Sequence, residues 1–216
     1  MVVDVFSDVV CPFCYIGKRI MESALRELGI ADAEIRFRSF ELDPHVSDAD
    51  LGSPTLASLA AKKGMSLADA ARMTQAVAYR ASQVGISMNL STTKVMRTRD
   101  AHRLLHWARS RSLAEAALLK EELMKDYFVD GIDLNGPEAL LSTVERAGLP
   151  LDEARAVLAD PKAFDADVAA DLDYAQKLNV RGVPFFVFNQ RIGLSGAQSV
   201  ETFAAAMKES LHDSAK

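Results

Sequence analysis

The 216-residue sequence is poor in cysteine, carries no excess of basic charge, and has no long apolar run. Its two cysteines cannot build a disulfide framework, so the fold must rest on a core, which a chain of this length can bury without staples. Against 30 Asp and Glu stand 25 Lys and Arg, a net charge of −5. That balance argues against bulk nucleic-acid binding, which needs clustered cations to release phosphate counterions. No apolar stretch approaches the roughly 20 residues of a membrane-spanning helix, so no membrane partner is expected. The opening Met1-Val2-Val3-Asp4-Val5-Phe6-Ser7-Asp8 has two acids and no basic leader, and a cytoplasmic protein is expected from it. Repeats of fixed period and low-complexity tracts are absent as well.

What is there is a composition of ordinary globular type, 49% apolar and 25% charged, arranged in three blocks. The first reads β-α-β. Val3 and Val5 alternate with Asp4 as in a strand, and an apolar stripe (Ile16, Ile20, Met21, Ala24, Leu25, Leu28) then repeats at helical spacing up to Gly29. Glu34 to Leu42 alternates charge and apolarity as a second strand and ends at Asp43-Pro44. From about Ser53 to Leu178 almost every segment reads as helix. Ser53-Pro54 and Asp160-Pro161 look like caps followed by proline, and Ser66 with Asp69 looks like a capping box. Helices are expected around Arg99–Arg111, Leu113–Phe128, Pro137–Ala147, Leu151–Ala159 and from about Lys162 to Leu178. The end reads β-β-α: the apolar run Val183–Phe188, a turn at Asn189-Gln190-Arg191, a weak strand Ile192–Leu194, and a helix capped by Ser199.

Both cysteines fall in one helical turn, Cys11-Pro12-Phe13-Cys14, between the first strand and the first helix. Such a pair is a dithiol switch, half of a metal site, or two structural thiols. Dithiol exchange needs one exposed thiol of low pKa and a second able to attack the mixed disulfide, and two intervening residues in a first helical turn supply that spacing. Helix N–H groups favour a thiolate at Cys11, and Cys14 is expected to be the more buried, resolving thiol. Pro12 and Phe13 are not ionisable, so they tune the pair without a charge; Asp8, if close, would raise the Cys11 pKa. A metal site needs two more ligands. His102 and His106 are the candidates, but His102 falls near the edge of its helix's apolar face and His106 beyond it, so no metal is expected. Lys62-Lys63 and Arg97, Arg99 and Arg103 read as solvated helix faces. Pro184 inside an apolar strand pattern fits either an edge strand or a strand start that faces a ligand.

A Cys-x-x-Cys that opens a helix after the first strand, with a distant Val183-Pro184-Phe185-Phe186, resembles the thioredoxin superfamily, and the helical block between the halves resembles its DsbA branch. More narrowly, the segment Phe6 to Gly17 is similar to the FrnE-like group. So are Phe40-Glu41-Leu42-Asp43-Pro44, Asp100-Ala101-His102-Arg103-Leu104, Gly182 to Val187 and Ser195-Gly196-Ala197-Gln198. The resemblance implies an α/β protein of thioredoxin-like fold with a large all-helical insertion. Residues 1–45 and 180–216 would form the thioredoxin-like domain and 46–179 the insertion. It implies that Cys11 attacks, that Cys14 resolves, and that Pro184 is a cis-proline beside them, with the Val183 backbone pairing with bound substrate. No cofactor is implied beyond the Cys11–Cys14 pair, and the partners are protein or small-molecule thiols and disulfides. Phe13 stands where FrnE-like proteins often carry Trp and the best-known periplasmic DsbA proteins carry His, so a strongly oxidising character is not implied. Kappa-class glutathione transferases and 2-hydroxychromene-2-carboxylate isomerases share this architecture but place serine at the Cys11 position. Two thiols here disfavour that chemistry and leave glutathione open as a co-substrate. A non-catalytic binding module is the remaining alternative, and monomer or homodimer is left open.

Overall fold

The alternating start of the chain becomes the middle of the sheet. In the computed structural model, which describes residues 1–212, the order is β1 (Val2–Ser7), α1 (Pro12–Glu27), β2 (Glu34–Ser39), α2 (Thr55–Lys63), α3 (Leu67–Ser82), α4 (Arg99–Arg111) and α5 (Leu113–Phe128). There follow α6 (Pro137–Arg146), α7 (Leu151–Ala159), α8 (Asp165–Lys177), β3 (Phe185–Phe188), β4 (Ile192–Ser195) and α9 (Val200–His212). The strands are ordered β2-β1-β3-β4. β2 runs parallel to β1, with Ser39 opposite Ser7. β3 runs antiparallel to β1, with Phe186 opposite Val5, and β4 antiparallel to β3.

Strand alternation divides the core between the two faces of this sheet. Val3, Val5, Phe186 and Phe188 share one face, where Phe203 of α9 meets Phe186 edge-on with centroids 4.7 Å apart. Gly17 of α1 lies on the same side, against the Phe186 ring. The other face carries Phe6 and Val187, packed with Tyr174, Ala175 and Val180 from α8 and the segment after it. Asp4 points to this second face and is buried, which is tolerable because Arg38 Nε donates to it at 2.7 Å. Asn189 and Gln190 close the β3–β4 hairpin at positive φ, 49° and 59°.

The chain divides into two compact units, residues 1–42 with the chain from Val168 onward, and residues 43–167. The second boundary therefore falls inside α8 and not at the expected 179. The reason is that Val168, Asp171 and Ala175 are buried, Asp171 on the β2 backbone and Ala175 on Phe6. The first boundary lies at 42 in place of 45, and the expected limit at 216 lies outside the described residues.

Several local expectations hold. The Ser66 hydroxyl accepts from the Asp69 N–H at 3.1 Å, and the Ser199 hydroxyl from Thr202 N–H at 3.3 Å. Asp160-Pro161 does not start a helix. Asp160 ends α7, its carboxylate accepts the Lys162 N–H, and Phe164 adopts φ 58° before α8 begins. Ser53 misses the cap position by one residue, since α2 starts at Thr55 after Pro54.

The reading of α4 as a one-sided helix fails. Every residue from Ala101 to Ala108 is buried, because α5 packs on one side and α7 on another. His102 and His106 are therefore core residues, and Arg103 is no solvated cation. Its guanidinium is buried and donates to Asp100 at 2.6 Å, to the Ala163 carbonyl at 2.8 Å, and to the carbonyls of Val157 and Asp160. It thus satisfies the Val157 carbonyl in the last turn of α7 and gathers two carbonyls of the turn that follows. Arg97 holds the Val46 carbonyl and Asp48, and Arg99 holds Asp165, whose carboxyl is kept below its ordinary range by that guanidinium.

Candidate active site

Cys11 lies where β1 hands over to α1. Its N–H donates to the Asp8 carbonyl at 3.3 Å, which closes a turn, and it occupies the N-cap position with extended backbone (φ −94°, ψ 110°). Pro12 follows at the first helical position, where a missing N–H costs nothing. Phe13 is exposed (36%), and Cys14 returns to the interior with its N–H on the Cys11 carbonyl at 3.0 Å. Both cysteines are free thiols.

The far end of the chain completes the site. The bond between Val183 and Pro184 is cis, and Cys11 Sγ donates to the Val183 carbonyl at 3.5 Å. Pro184 is buried, and its carbonyl accepts the Gly196 N–H at 2.8 Å. Gly17, one turn beyond Cys14, lets this segment approach α1: a Cβ there would lie 3.1 Å from both Pro184 Cγ and Phe186 Cζ. The structure thus brings together Cys11, Cys14, Val183 and Pro184, with Pro12 and Phe13 forming the turn between the thiols.

The expected contrast between an exposed Cys11 and a buried Cys14 is absent. Cys11 is 3% exposed and Cys14 2%. The thiol of Cys11 is also held well above the ordinary cysteine value. The largest cause is its hydrogen bond with the Cys14 side chain, followed by burial and by the charge of Cys14. The Cys14 N–H pulls the other way, as a helix N-terminus should, while the charge of Asp8 pushes the value up further. These causes together favour the thiol form of Cys11.

Asp8 is fully buried, and its carboxylate accepts the Leu42 N–H at 2.8 Å. Leu42 and Gly196 stood in the sequence only as members of ordered motifs. Their part here is played by backbone N–H groups, which residue type does not announce. Among the described residues, no three His, Cys, Asp or Glu side chains are placed to hold a metal ion. None of the described helices is long and apolar enough to cross a membrane.

A β-α-β and β-β-α sheet, split by a helical insertion and carrying a Cys-x-x-Cys turn beside a cis-proline, defines a dithiol protein of thioredoxin-like fold. The model of the DSBA-like thioredoxin domain matches residues 2–208, and the chain belongs to that family. A probable DsbA oxidoreductase from Streptomyces coelicolor is 37% identical, with a TM-score of 0.91 over 97% of this chain and 89% of that one. A 2-hydroxychromene-2-carboxylate isomerase shares the fold at 17% identity and a TM-score of 0.67, covering 100% of this chain and 98% of that one. So does the cytosolic disulfide reductase DsbM from Pseudomonas aeruginosa, solved with GSH, at 16% identity and a TM-score of 0.66 over 98% and 99% of the two chains. No curated protein matches the sequence.

Proposed function

We propose that this protein is a thiol-disulfide oxidoreductase in which Cys11 attacks and Cys14 resolves, acting on protein or small-molecule disulfides. The observation that carries the reading is the Cys11 sulfur at a helix N-cap, 3.5 Å from the Val183 carbonyl and one turn from Cys14. Cys11, as thiolate, attacks one sulfur of a substrate disulfide; a mixed disulfide forms and the other half leaves as a thiolate. Cys14 then gives up its proton and attacks the Cys11 sulfur. The second half leaves, the Cys11–Cys14 disulfide remains, and two electrons have passed to the substrate. The reverse sequence oxidises a substrate dithiol.

The Val183 backbone offers main-chain hydrogen bonds to an extended substrate, and the exposed ring of Phe13 gives it an apolar surface. Pro12 and Phe13 add no charge, so the thiolate depends on backbone dipoles. No cofactor is required beyond the dithiol, with glutathione or another small thiol as the reductant that restores it. A cytoplasmic setting, where thiols are kept reduced, favours reduction or isomerisation over net disulfide formation. The likeness to a cytosolic reductase solved with GSH supports glutathione as co-substrate. Two thiols at the positions of Cys11 and Cys14 argue against the isomerase chemistry and against an idle binding module. Membership of the FrnE-like group rests on the ordered sequence motifs.

The test is to express Cys14→Ser and identify what is trapped on Cys11. Protein or glutathione adducts that dithiothreitol releases are expected, together with loss of insulin reduction in Cys11→Ser. Equal turnover by Cys11→Ser and wild type would remove Cys11 as nucleophile.

A further inference from the structure

The helical unit carries a groove of about 250 Å³, lined by α2, α3 and the loop that follows α3, and no residue of the dithiol turn lines it. Its apolar part is Leu56 of α2, Ala71 and Ala78 of α3, and the buried Met88. Ala71, Gln75 and Ala78 fall on one stripe of α3, and the two alanines leave room that larger side chains would fill. The remaining wall is the loop, which is held firmly. The Asn89 N–H donates to the Phe128 carbonyl at 2.7 Å, the Asn89 carbonyl accepts the Thr92 N–H at 3.3 Å, and its Oδ1 accepts the Ser91 hydroxyl at 2.6 Å. Four polar groups on these walls are still unspent. The backbone N–H groups of Leu90 and Ser91, Asn89 Nδ2 and the Gln75 side-chain amide have no hydrogen-bond partner among the described residues.

We propose that this groove docks an uncharged, extended peptide segment of a protein substrate. The proposal rests on the oxidoreductase reading above and deepens it, by naming a place outside the dithiol turn where such a substrate is held. No charged side chain lines the groove, so a phosphate, carboxylate or ammonium group would lose its water there with no ion to replace it. A peptide group offers one donor and one acceptor. The N–H groups of Leu90 and Ser91 and Asn89 Nδ2 can donate to its carbonyl, and the Gln75 amide can accept its N–H as well as donate. The volume lies below the ~300–1,000 Å³ of pockets for drug-sized ligands, and suits one aliphatic side chain with its flanking peptide groups. Leu67, four residues before Ala71 on the same stripe of α3, is 58% exposed and continues the apolar surface past the groove. From Leu67 to Ala78 the helix rises about 16 Å, the length of about five extended residues. An extended segment spans that distance and a compact ligand does not.

The reduced protein is titrated with two capped peptides, acetyl-Ala-Leu-Ala-amide and acetyl-Asp-Leu-Asp-amide, and followed by amide proton–nitrogen NMR. The neutral peptide is expected to move the N–H signals of Leu90 and Ser91 and the side-chain amides of Gln75 and Asn89, and the charged one to leave them in place. Gln75→Glu and Asn89→Asp alter exposed positions and put a carboxylate on the groove, the second while keeping the oxygen that accepts from Ser91. Each is expected to weaken binding of the neutral peptide by about threefold or more and to raise KM for insulin by a similar factor, acting on KM and not on kcat. The remaining signals of each spectrum report whether the variant is folded. Shifts absent from the groove at millimolar neutral peptide, or equal binding of the two peptides, would overturn the proposal. So would an insulin KM left at the wild-type value in both variants. If wild type reduces no insulin, the oxidoreductase reading fails, and the peptide titration still decides whether the groove binds an uncharged segment.

Discussion

Arg38 Nη1 donates to Asp171 Oδ1 at 3.0 Å, joining the second strand to a helix 133 positions further along the chain. The same guanidinium holds Asp4 on β1, and Asp171 also accepts the N–H of Ser39 at 3.0 Å. Burial works against the charge of Arg38, but Asp4 and Asp171 outweigh it and raise its pKa. One cation thus makes two buried carboxylates tolerable.

Removing it should be expensive. Arg38→Met leaves Asp4 and Asp171 uncompensated and is expected to destabilise the protein by about 3–5 kcal/mol, measured by urea unfolding near neutral pH. The loss should shrink toward acid pH, where the orphaned carboxylates take up protons. A loss below about 1 kcal/mol would mean that water already screens the triad.

Gly17 is where α1 and the Pro184 segment come closest. In Gly17→Val the added methyl groups must push against Pro184 and Phe186, at an expected cost of about 1–3 kcal/mol. Disulfide exchange should slow as well, because Pro184 borders the Cys11 sulfur. Gly17→Ala should be milder, since the helix propensity gained, about 1 kcal/mol, offsets part of the strain. Thermal melts and insulin reduction on both variants check this; unchanged exchange in Gly17→Val would disconnect Pro184 from the reaction.

The raised pKa of Cys11 has a signature in stability. The folded dithiol keeps a proton that the unfolded chain releases from about pH 8.5 upward. Its stabilising contribution is therefore complete below that value and is lost as pH rises through the folded value. The urea midpoint of the reduced protein should fall faster over this alkaline range than that of Cys11→Ser. Parallel curves would show that Cys11 titrates alike in both states.

The sheet and the dithiol turn were legible in the sequence because local chemistry dictates them. Alternation marks Glu34 to Ser39 as a strand, and Pro12 after Cys11 marks a helix start. Arg103 shows where such reasoning stops. A charged residue three positions from Asp100 looks like a solvated pair, and only the arrival of the carbonyls of Val157, Asp160 and Ala163 makes it a buried cap. His106 was misread for the same reason, since a helix enclosed by neighbours has no solvent face. In the site, the residue types of Cys11 and Cys14 were plain. The burial of Cys14 was expected, but that of Cys11 was not, because the segment that covers it lies 172 positions away.

That separation governs when the protein becomes chemically safe during its synthesis. Cys11 and Cys14 leave the ribosome some 170 residues ahead of Val183 and β3. At translation rates of about 5–20 residues per second, roughly ten to thirty seconds pass with both thiols on an incomplete sheet. Throughout that interval β1 lacks its antiparallel neighbour and Cys11 lacks the carbonyl that receives its proton. The nascent chain is therefore an unshielded dithiol, open to any passing disulfide, until the segment 172 positions further on has been made.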